Sequence, residues 1–149
     1  MILNLVIIIL SFTAMELVAW LSHKFIMHGF LWHLHRDHHE PGGNSFFEKN
    51  DLFFLIFAIP SCLCIVFGAI NGFDFKFYIG MGILLYGIAY FLVHDVIIHR
   101  RFKWFSQSAS RYVKGLQKAH WDHHQTVGRC GNKNFGMLLV SLKYLKNSA

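Results

Sequence analysis

The sequence predicts an all-α, integral-membrane fold with about three transmembrane helices, joined to cytoplasmic or interfacial helices that carry a histidine-rich two-metal site. Three observations predict it. Of the 149 residues 54% are hydrophobic and only 15% charged, a balance that soluble domains of this size rarely reach. Three apolar runs have the length of a bilayer-crossing helix, roughly 17–25 residues. All eleven histidines fall in segments that those runs place on one side of a membrane.

Ile2–Leu21 is interrupted only by Asn4, Ser11, Thr13 and Glu16. It has no basic n-region and no small-residue cleavage site, so it reads as a membrane helix and not as a signal peptide. Residues 52–70 are apolar almost throughout, with Pro60 in the middle as an expected kink. Residues 77–93, rich in Gly and Tyr, form the third span. Residues 135–145 are apolar but short and include Lys143, which suits an interfacial or partly buried position. The chain length fits one domain, 1–149. Cys62 and Cys64 lie inside an apolar run and Cys130 follows a basic loop, so the cysteines read as packing and imply no disulfide framework.

Only residues 71–76 join the second and third spans, which makes those spans antiparallel neighbours. Residues 22–51 and everything after Val93 then share one side. That side holds thirteen of the fourteen Lys and Arg residues, with Lys76 alone opposite. The positive-inside bias assigns it, with the C-terminus, to the cytoplasm and leaves the N-terminus outside.

The histidines fall into four boxes: His23 and His28 in HKFIMH; His35, His38 and His39 in HRDHH; His94 and His99 in HDVIIH; His120, His123 and His124 in HWDHH. HX4H followed by HX2HH thus occurs twice, the copies separated by two spans. A lone helical histidine is usually structural, but a doubled spacing has no such explanation. Residues i, i+3 and i+4 share a helix face, so His35, His38 and His39 are expected to converge, as are His120, His123 and His124. The HX4H spacing turns about 140° on an α-helix. Those pairs therefore flank a site; either they ligate two different metals, or the helix ends between them. Tyr112, Leu116, His120 and His123 form one stripe of an amphipathic helix whose other face carries Arg111, Lys114 and Lys118. His33 lies outside the box spacing, points away from its neighbours' shared face, and reads as accessory or structural.

Imidazole suits zinc, copper, iron and nickel. Catalytic zinc commonly takes three protein ligands and structural zinc four, so ten histidines exceed one site. Divided over two metals they give about five each and leave a position for water or oxygen near octahedral geometry, which two irons fit best. The Glu-x-x-His pattern of soluble di-iron bundles is absent, so the site is nearly all nitrogen. Asp37, Asp95 and Asp122 each adjoin a box histidine and are candidates to orient ring N–H groups, with capping or solvation as the alternative. Glu16 shares a face with His23. A carboxylate within a span normally faces the protein interior, so Glu16 is a partner of the metal site, a substrate-pocket residue or a helix-packing group.

The four-box order, with the stretches MHGFLWHLHRDHHEP, FFEKNDLFFLIFAIP, GMGILLYGIAYFLVHDVIIHRRF and NFGMLLVS, resembles the fatty acid hydroxylase superfamily of membrane di-iron enzymes, in its bacterial carotenoid-ring branch, the beta-carotene 3-hydroxylases. The likeness covers nearly the whole chain. It implies that the metal ligands are His23, His28, His35, His38, His39, His94, His99, His120, His123 and His124. It implies two iron ions as cofactors, replaceable by zinc in purified protein, with O2 as co-substrate. The implied reaction inserts oxygen at carbon 3 of the beta-ionone ring, through cryptoxanthin to zeaxanthin, in a bacterial inner membrane. Trp20, Phe30, Trp32, Phe53, Phe54, Tyr86 and Tyr90 can line a path for such a long apolar substrate, although aromatic stripes in spans also serve packing. No GxGxxG, P-loop or CxxC pattern occurs, so electrons come from an external, ferredoxin-like donor. Arg100, Arg101 and Lys103 suit docking of an acidic donor or ordinary anchoring to anionic lipid. The expected partners are a carotenoid from the lipid phase, membrane lipid and that donor, with no nucleic acid. The competing readings are a fatty-acid, sterol or alkane hydroxylase or desaturase, and a metal transporter. Transport would place ionisable ligands at mid-membrane, whereas these clusters sit at helix ends.

Overall fold

The computed structural model describes residues 1–40, 46–102, 110–126 and 128–146; Pro41, Lys103 and Ala149 lie outside them. Helix α1 (Ile2–Leu21) continues into a π-helical segment (Ser22–Phe30), followed by α2 (Trp32–His39). A 3-10 turn (Lys49–Phe53) leads into α3 (Phe54–Ile70). Helix α4 (Phe75–Phe91) runs on into a second π segment (Leu92–Ile98), and α5 (Arg111–His124) and the short α6 (Leu142–Lys146) follow. Among the described residues there is no strand. The all-α expectation holds.

Three continuous helical stretches, Ile2–Phe30, Lys49–Ile70 and Phe75–Ile98, are long and apolar enough to cross a membrane. They correspond to the three expected spans, with ends that run further. The second starts early because Glu48 and Asp51 form a reciprocal capping box around the 3-10 turn, supplying acceptors to N–H groups that have no partner within the helix. Pro60 lies inside α3, which remains one helix on both sides of it.

Helix α4 packs against both α1 and α3, and glycine permits the approach. A Cβ on Gly80 would fall 2.9 Å from the Ser61 carbonyl oxygen of α3, and one on Gly82 would fall 2.7 Å from the Ile8 carbonyl oxygen of α1. Small residues at such crossings let backbones meet where lipid removes the hydrophobic drive for association. The Ser61 hydroxyl adds a 2.9 Å bond to the Gly80 carbonyl.

Glu16 explains the course of the chain after α5. Its carboxylate accepts the Tyr86 hydroxyl at 2.7 Å and the backbone N–H groups of Met137, Leu138 and Leu139 at 2.9, 3.0 and 2.9 Å. Glu16 lies seven residues before His23, about 10 Å lower along the helix at 1.5 Å per residue. The 137–139 backbone is therefore drawn down beside α1, where bare N–H groups would be costly without water. Leu139 and Leu142 remain largely exposed, at 76% and 69%, as lipid-facing residues would be. Of the three roles open to Glu16, the structure gives it the packing role. The same loop corrects the α5 stripe: Gly115, Leu116, Ala119, His120 and His123 are buried, whereas Tyr112 is exposed and donates its hydroxyl to the Leu138 carbonyl.

Glu16→Ala would strand four donors. With about 1–3 kcal/mol lost per unsatisfied buried group, the variant is expected to lose about 3 kcal/mol or more in detergent, with Glu16→Gln falling between it and the parent. Thermal unfolding of the three proteins checks the order; an unchanged Glu16→Ala midpoint would remove the anchoring role.

Candidate metal centre

The HX4H histidines sit where α1 and α4 pass from α- to π-helix. In the second π segment the His99 N–H bonds to the His94 carbonyl at 2.8 Å, and in the first the Leu31 N–H bonds to the Ile26 carbonyl at 3.0 Å. Both are closures on the fifth residue. A turn of that size brings i and i+5 onto one face, which an α-helix does not do, and such turns concentrate at functional sites. His23 and His28 therefore point to one place and His94 and His99 to another. Each HX4H pair faces a single point; neither alternative read from α-helical geometry holds.

The HX2HH triplets behave in the opposite way. His35 and His39 join His23, His28 and His123, with ligand nitrogens all within 4.8 Å of one another; His38 joins His94, His99 and His120 within the same limit. The His124 Nε2 lies 2.9 Å from that of His120, so it adds to the second group. The expected convergence of each triplet is thus corrected. On an α-helix i and i+4 are about 40° apart and i+3 lies about 80° from their mean direction. A helix seated between two adjacent groups sends i and i+4 to one and i+3 to the other. Helix α2 contributes His38 across the seam, and α5 returns His123. His33 is exposed on the outer face of α2.

Six of these rings have their Nδ1 engaged. Those of His23, His28 and His123 donate to the backbone carbonyls of Phe135, Arg129 and Lys133 at 3.1, 3.3 and 2.7 Å. His35 donates to Asn50 Oδ1 at 2.6 Å, His38 to Glu48 Oε2 at 2.7 Å and His94 to Asp95 Oδ2 at 3.2 Å. A carbonyl only accepts, so the Nδ1 facing it carries the proton and the Nε2 of a neutral ring is a bare lone pair. The rings outside the spans are kept neutral. Burial pulls His35 down to about 3 and His123 to about 4. Burial, and then the neighbouring histidines, hold His99 and His124 at about 2 and His38, His39 and His120 far below the ordinary value.

The Nε2 atoms nevertheless crowd together. They lie 3.2 Å apart for His23–His35 and His35–His39, and 3.1 Å for His28–His123. In the second group the separations are 3.1 Å for His38–His94, 2.8 Å for His99–His120 and 2.9 Å for His120–His124. With metal–nitrogen bonds of about 2.0–2.1 Å, ligands at right angles are about 3.0 Å apart and tetrahedral ones about 3.4 Å. The observed separations match the right-angle edge. Where both Nδ1 atoms are committed, in His23–His35, His28–His123 and His38–His94, facing lone pairs at such distances repel unless a cation lies among them, so the donor set fits two metal ions of high coordination number.

Of the four carboxylates singled out from sequence, only Asp95 meets a box histidine. Asp37 accepts the Lys49 N–H at 2.7 Å, Asp122 accepts the Tyr144 hydroxyl at 2.8 Å, and Glu16 holds the 137–139 loop. Arg101 is no free surface cation, because it bonds Asp51 at 2.7 and 2.8 Å and Asp95 at 2.6 Å. Sequence reasoning missed Glu48 and Asn50, although the polar quartet EKND ahead of a span marks the place. It also missed the three carbonyls of the loop after α5, which have no side-chain signal. Asn132 and Asn134 pin that loop to the His123, Thr126 and Ala119 carbonyls.

A cavity of about 730 Å³ runs from the centre into the spans between α3 and α4, lined by Asn50, Phe53, Phe57, Ser61, Tyr90 and His94 among others. Phe53, Phe54 and Tyr90 of the expected aromatic path line it. Trp20, Phe30, Trp32 and Tyr86 do not.

These features define a class, a helical membrane protein with a twin all-histidine metal centre at one end of its spans. The fatty acid hydroxylase family model matches residues 8–147, and the chain belongs to that family. It is 39% identical over 135 residues to a beta-carotene hydroxylase of Pantoea ananas, covering 91% of this chain and 76% of the relative. It is 41% identical over 140 residues to one of Pseudescherichia vulneris, covering 93% and 77%. A chloroplastic beta-carotene 3-hydroxylase of Haematococcus lacustris is 40% identical over 131 residues, 84% of this chain and 39% of that protein. No solved structure matches.

Partners that hold the far ring nitrogen typically contribute 10–100-fold to metal affinity. Asn50→Ala is expected to weaken metal binding by that factor while leaving membrane insertion intact, as read by competition with a chelator; unaltered affinity would count against an orienting role. The depressed histidines also set a pH dependence. Above about pH 6.5, the ordinary histidine value, these rings are neutral in both folded and unfolded chains. Below it the unfolded chain takes up protons that His35 and His123 refuse until about 3 and 4, so stability falls as pH drops through that window. The midpoint of the metal-free protein should be level from pH 8 to 6.5 and decline below; a level midpoint down to pH 4 would contradict it.

Proposed function

We propose that this protein hydroxylates beta-carotene at carbon 3 of its beta-ionone rings, giving cryptoxanthin and then zeaxanthin. The observation that carries the reading is the pair of Nε2 clusters, 2.8–3.2 Å between neighbours, at the end of an apolar cavity that opens between two spans. The names and identities of the relatives direct it to a carotenoid ring. The proposed ligands are His23, His28, His35, His39 and His123 for one iron and His38, His94, His99, His120 and His124 for the other. Iron there supplies the redox chemistry for O2. In balance, a ring C–H bond breaks and a C–O bond forms with one oxygen atom. The second oxygen atom leaves as water, taking two protons and two electrons from an external donor.

The chain's own residues do the rest. Phe53, Phe57 and Tyr90 surround the ring and exclude water, which keeps a strong oxidant from side reactions. Asn50, Glu48, Asp95 and the loop carbonyls hold six of the Nδ1 protons in place. The thirteen-to-one split of Lys and Arg supports a cytoplasmic centre and C-terminus in a bacterial inner membrane. Residues 1–149 act as one unit in this reading, because the ligands come from both ends of the chain.

Expression in a beta-carotene-producing host, with pigment and metal analysis, tests the proposal. Zeaxanthin and two metal equivalents are expected; zinc among them would occupy the same nitrogens. His35→Ala is expected to lose metal and product, and His33→Ala to keep most of both at equal membrane levels. Unmodified beta-carotene beside well-inserted, metal-loaded protein would end the substrate claim, and hydroxylated lipid in its place would favour a fatty-acid hydroxylase.

A further inference from the structure

The centre has a second opening. A cleft of about 560 Å³ reaches it through His99, His120 and His124 and is otherwise lined by Ile98, Arg100, Gln117, Lys118 and Trp121. It shares no lining residue with the apolar cavity, which touches the second cluster through His94. One opening is apolar and lies within the spans. The other is bordered by Arg100, Gln117 and Lys118 and lies at their ends.

The surface around this cleft has a definite character. Arg111, Lys114, Lys118 and Trp121 fall on one face of α5 at steps of three, four and three, and all four are exposed. Arg100, exposed as well, stands across the cleft with a positive φ of 53°, so the chain turns sharply there. None of these four cations has an ion-pair partner among the described residues, in contrast to Arg101. Trp121 leaves 62% of its surface in the open, next in sequence to His120. An exposed tryptophan bordered by cations is the composition of a binding hot spot, and an unpaired basic field attracts and orients an acidic partner.

We propose that this cleft is the docking site of an acidic one-electron carrier protein, with Trp121 at the centre of contact and the stripe Arg111, Lys114 and Lys118 with Arg100 as its basic surround. The proposal rests on the hydroxylase reading, in which each turnover consumes two electrons that no residue of this chain supplies. A carrier seated there meets the edge of the second cluster, so electrons enter through the metal held by His99, His120 and His124 while the carotenoid occupies the opposite side. Neither partner obstructs the other. Anionic lipid would also be drawn to the cations, but it carries no electrons and gives no reason for a tryptophan beside His120.

The test uses full-length, metal-loaded protein in zwitterionic nanodiscs. Electrons are delivered by a reduced plant-type [2Fe–2S] ferredoxin or by reduced methyl viologen, a small diffusible reductant. Anaerobic reduction of the centre is followed optically without carotenoid, so the readout survives if the substrate assignment is wrong. Trp121→Ala and Lys118→Glu are each expected to raise the half-saturating ferredoxin concentration tenfold or more, and Lys118→Glu to flatten its salt dependence as well. Reduction by methyl viologen should stay within twofold of the parent. Lys146→Glu, an equal charge change away from the cleft, should leave both unchanged. Unaltered half-saturation in the two cleft variants would overturn the proposal, as would equal losses with both reductants or an equal effect of Lys146→Glu. Cleft variants that lose only affinity for anionic vesicles would assign the surface to lipid and likewise overturn it.

Discussion

The structure depends on how ten imidazoles share their two nitrogens. For six of them the Nδ1 proton is committed outward, to a carbonyl, an amide or a carboxylate, which turns the Nε2 lone pair inward. Bringing such lone pairs within about 3 Å is repulsive, and burial makes proton uptake an expensive remedy. The remaining remedy is a metal ion. Everything else in the fold serves that condition: spans that end at one level, helices that change pitch at that level, and a loop that brings its carbonyls back to the rings.

The positions of the spans and boxes were legible in the sequence, because hydropathy and charge asymmetry are additive along the chain. The pitch of the helices at the boxes was not. His23 and His28 read as divergent on an α-helix, and they meet because the segment closes on its fifth residue. That closure comes from packing at the ends of the spans and leaves no mark on composition. The crossing of His38 and His123 was hidden for a related reason. Spacing says which side chains share a helix face, but not that a face lies over the seam between two sites.

The supporting groups divide in the same way. Asp95 was legible because it adjoins His94. Asn50 and Glu48 act on His35 and His38 from 15 and 10 residues away, and nothing in the spacing ties them to those rings. The carbonyls of Arg129, Lys133 and Phe135 belong to the backbone and are invisible to any reading of side chains. Arg101 shows the converse error: a cation counted as part of a free basic surface is consumed in bonds to Asp51 and Asp95, next to the ligand it helps to hold.

The Glu16 anchor has a consequence for the order in which this protein comes into being. Three rings, His23, His28 and His123, depend on carbonyls of the loop after α5, and that loop is drawn down by N–H groups at 137–139 on a carboxylate in the first span. During synthesis the first span is in the membrane long before those residues leave the ribosome. Until they do, Glu16 waits with part of its bonding unfilled, and His23, His28 and His123 lack the acceptors that orient them. Assembly of the first cluster is thereby tied to synthesis of residues 129–139, so its rings gain their full set of supports only after all three spans have been made.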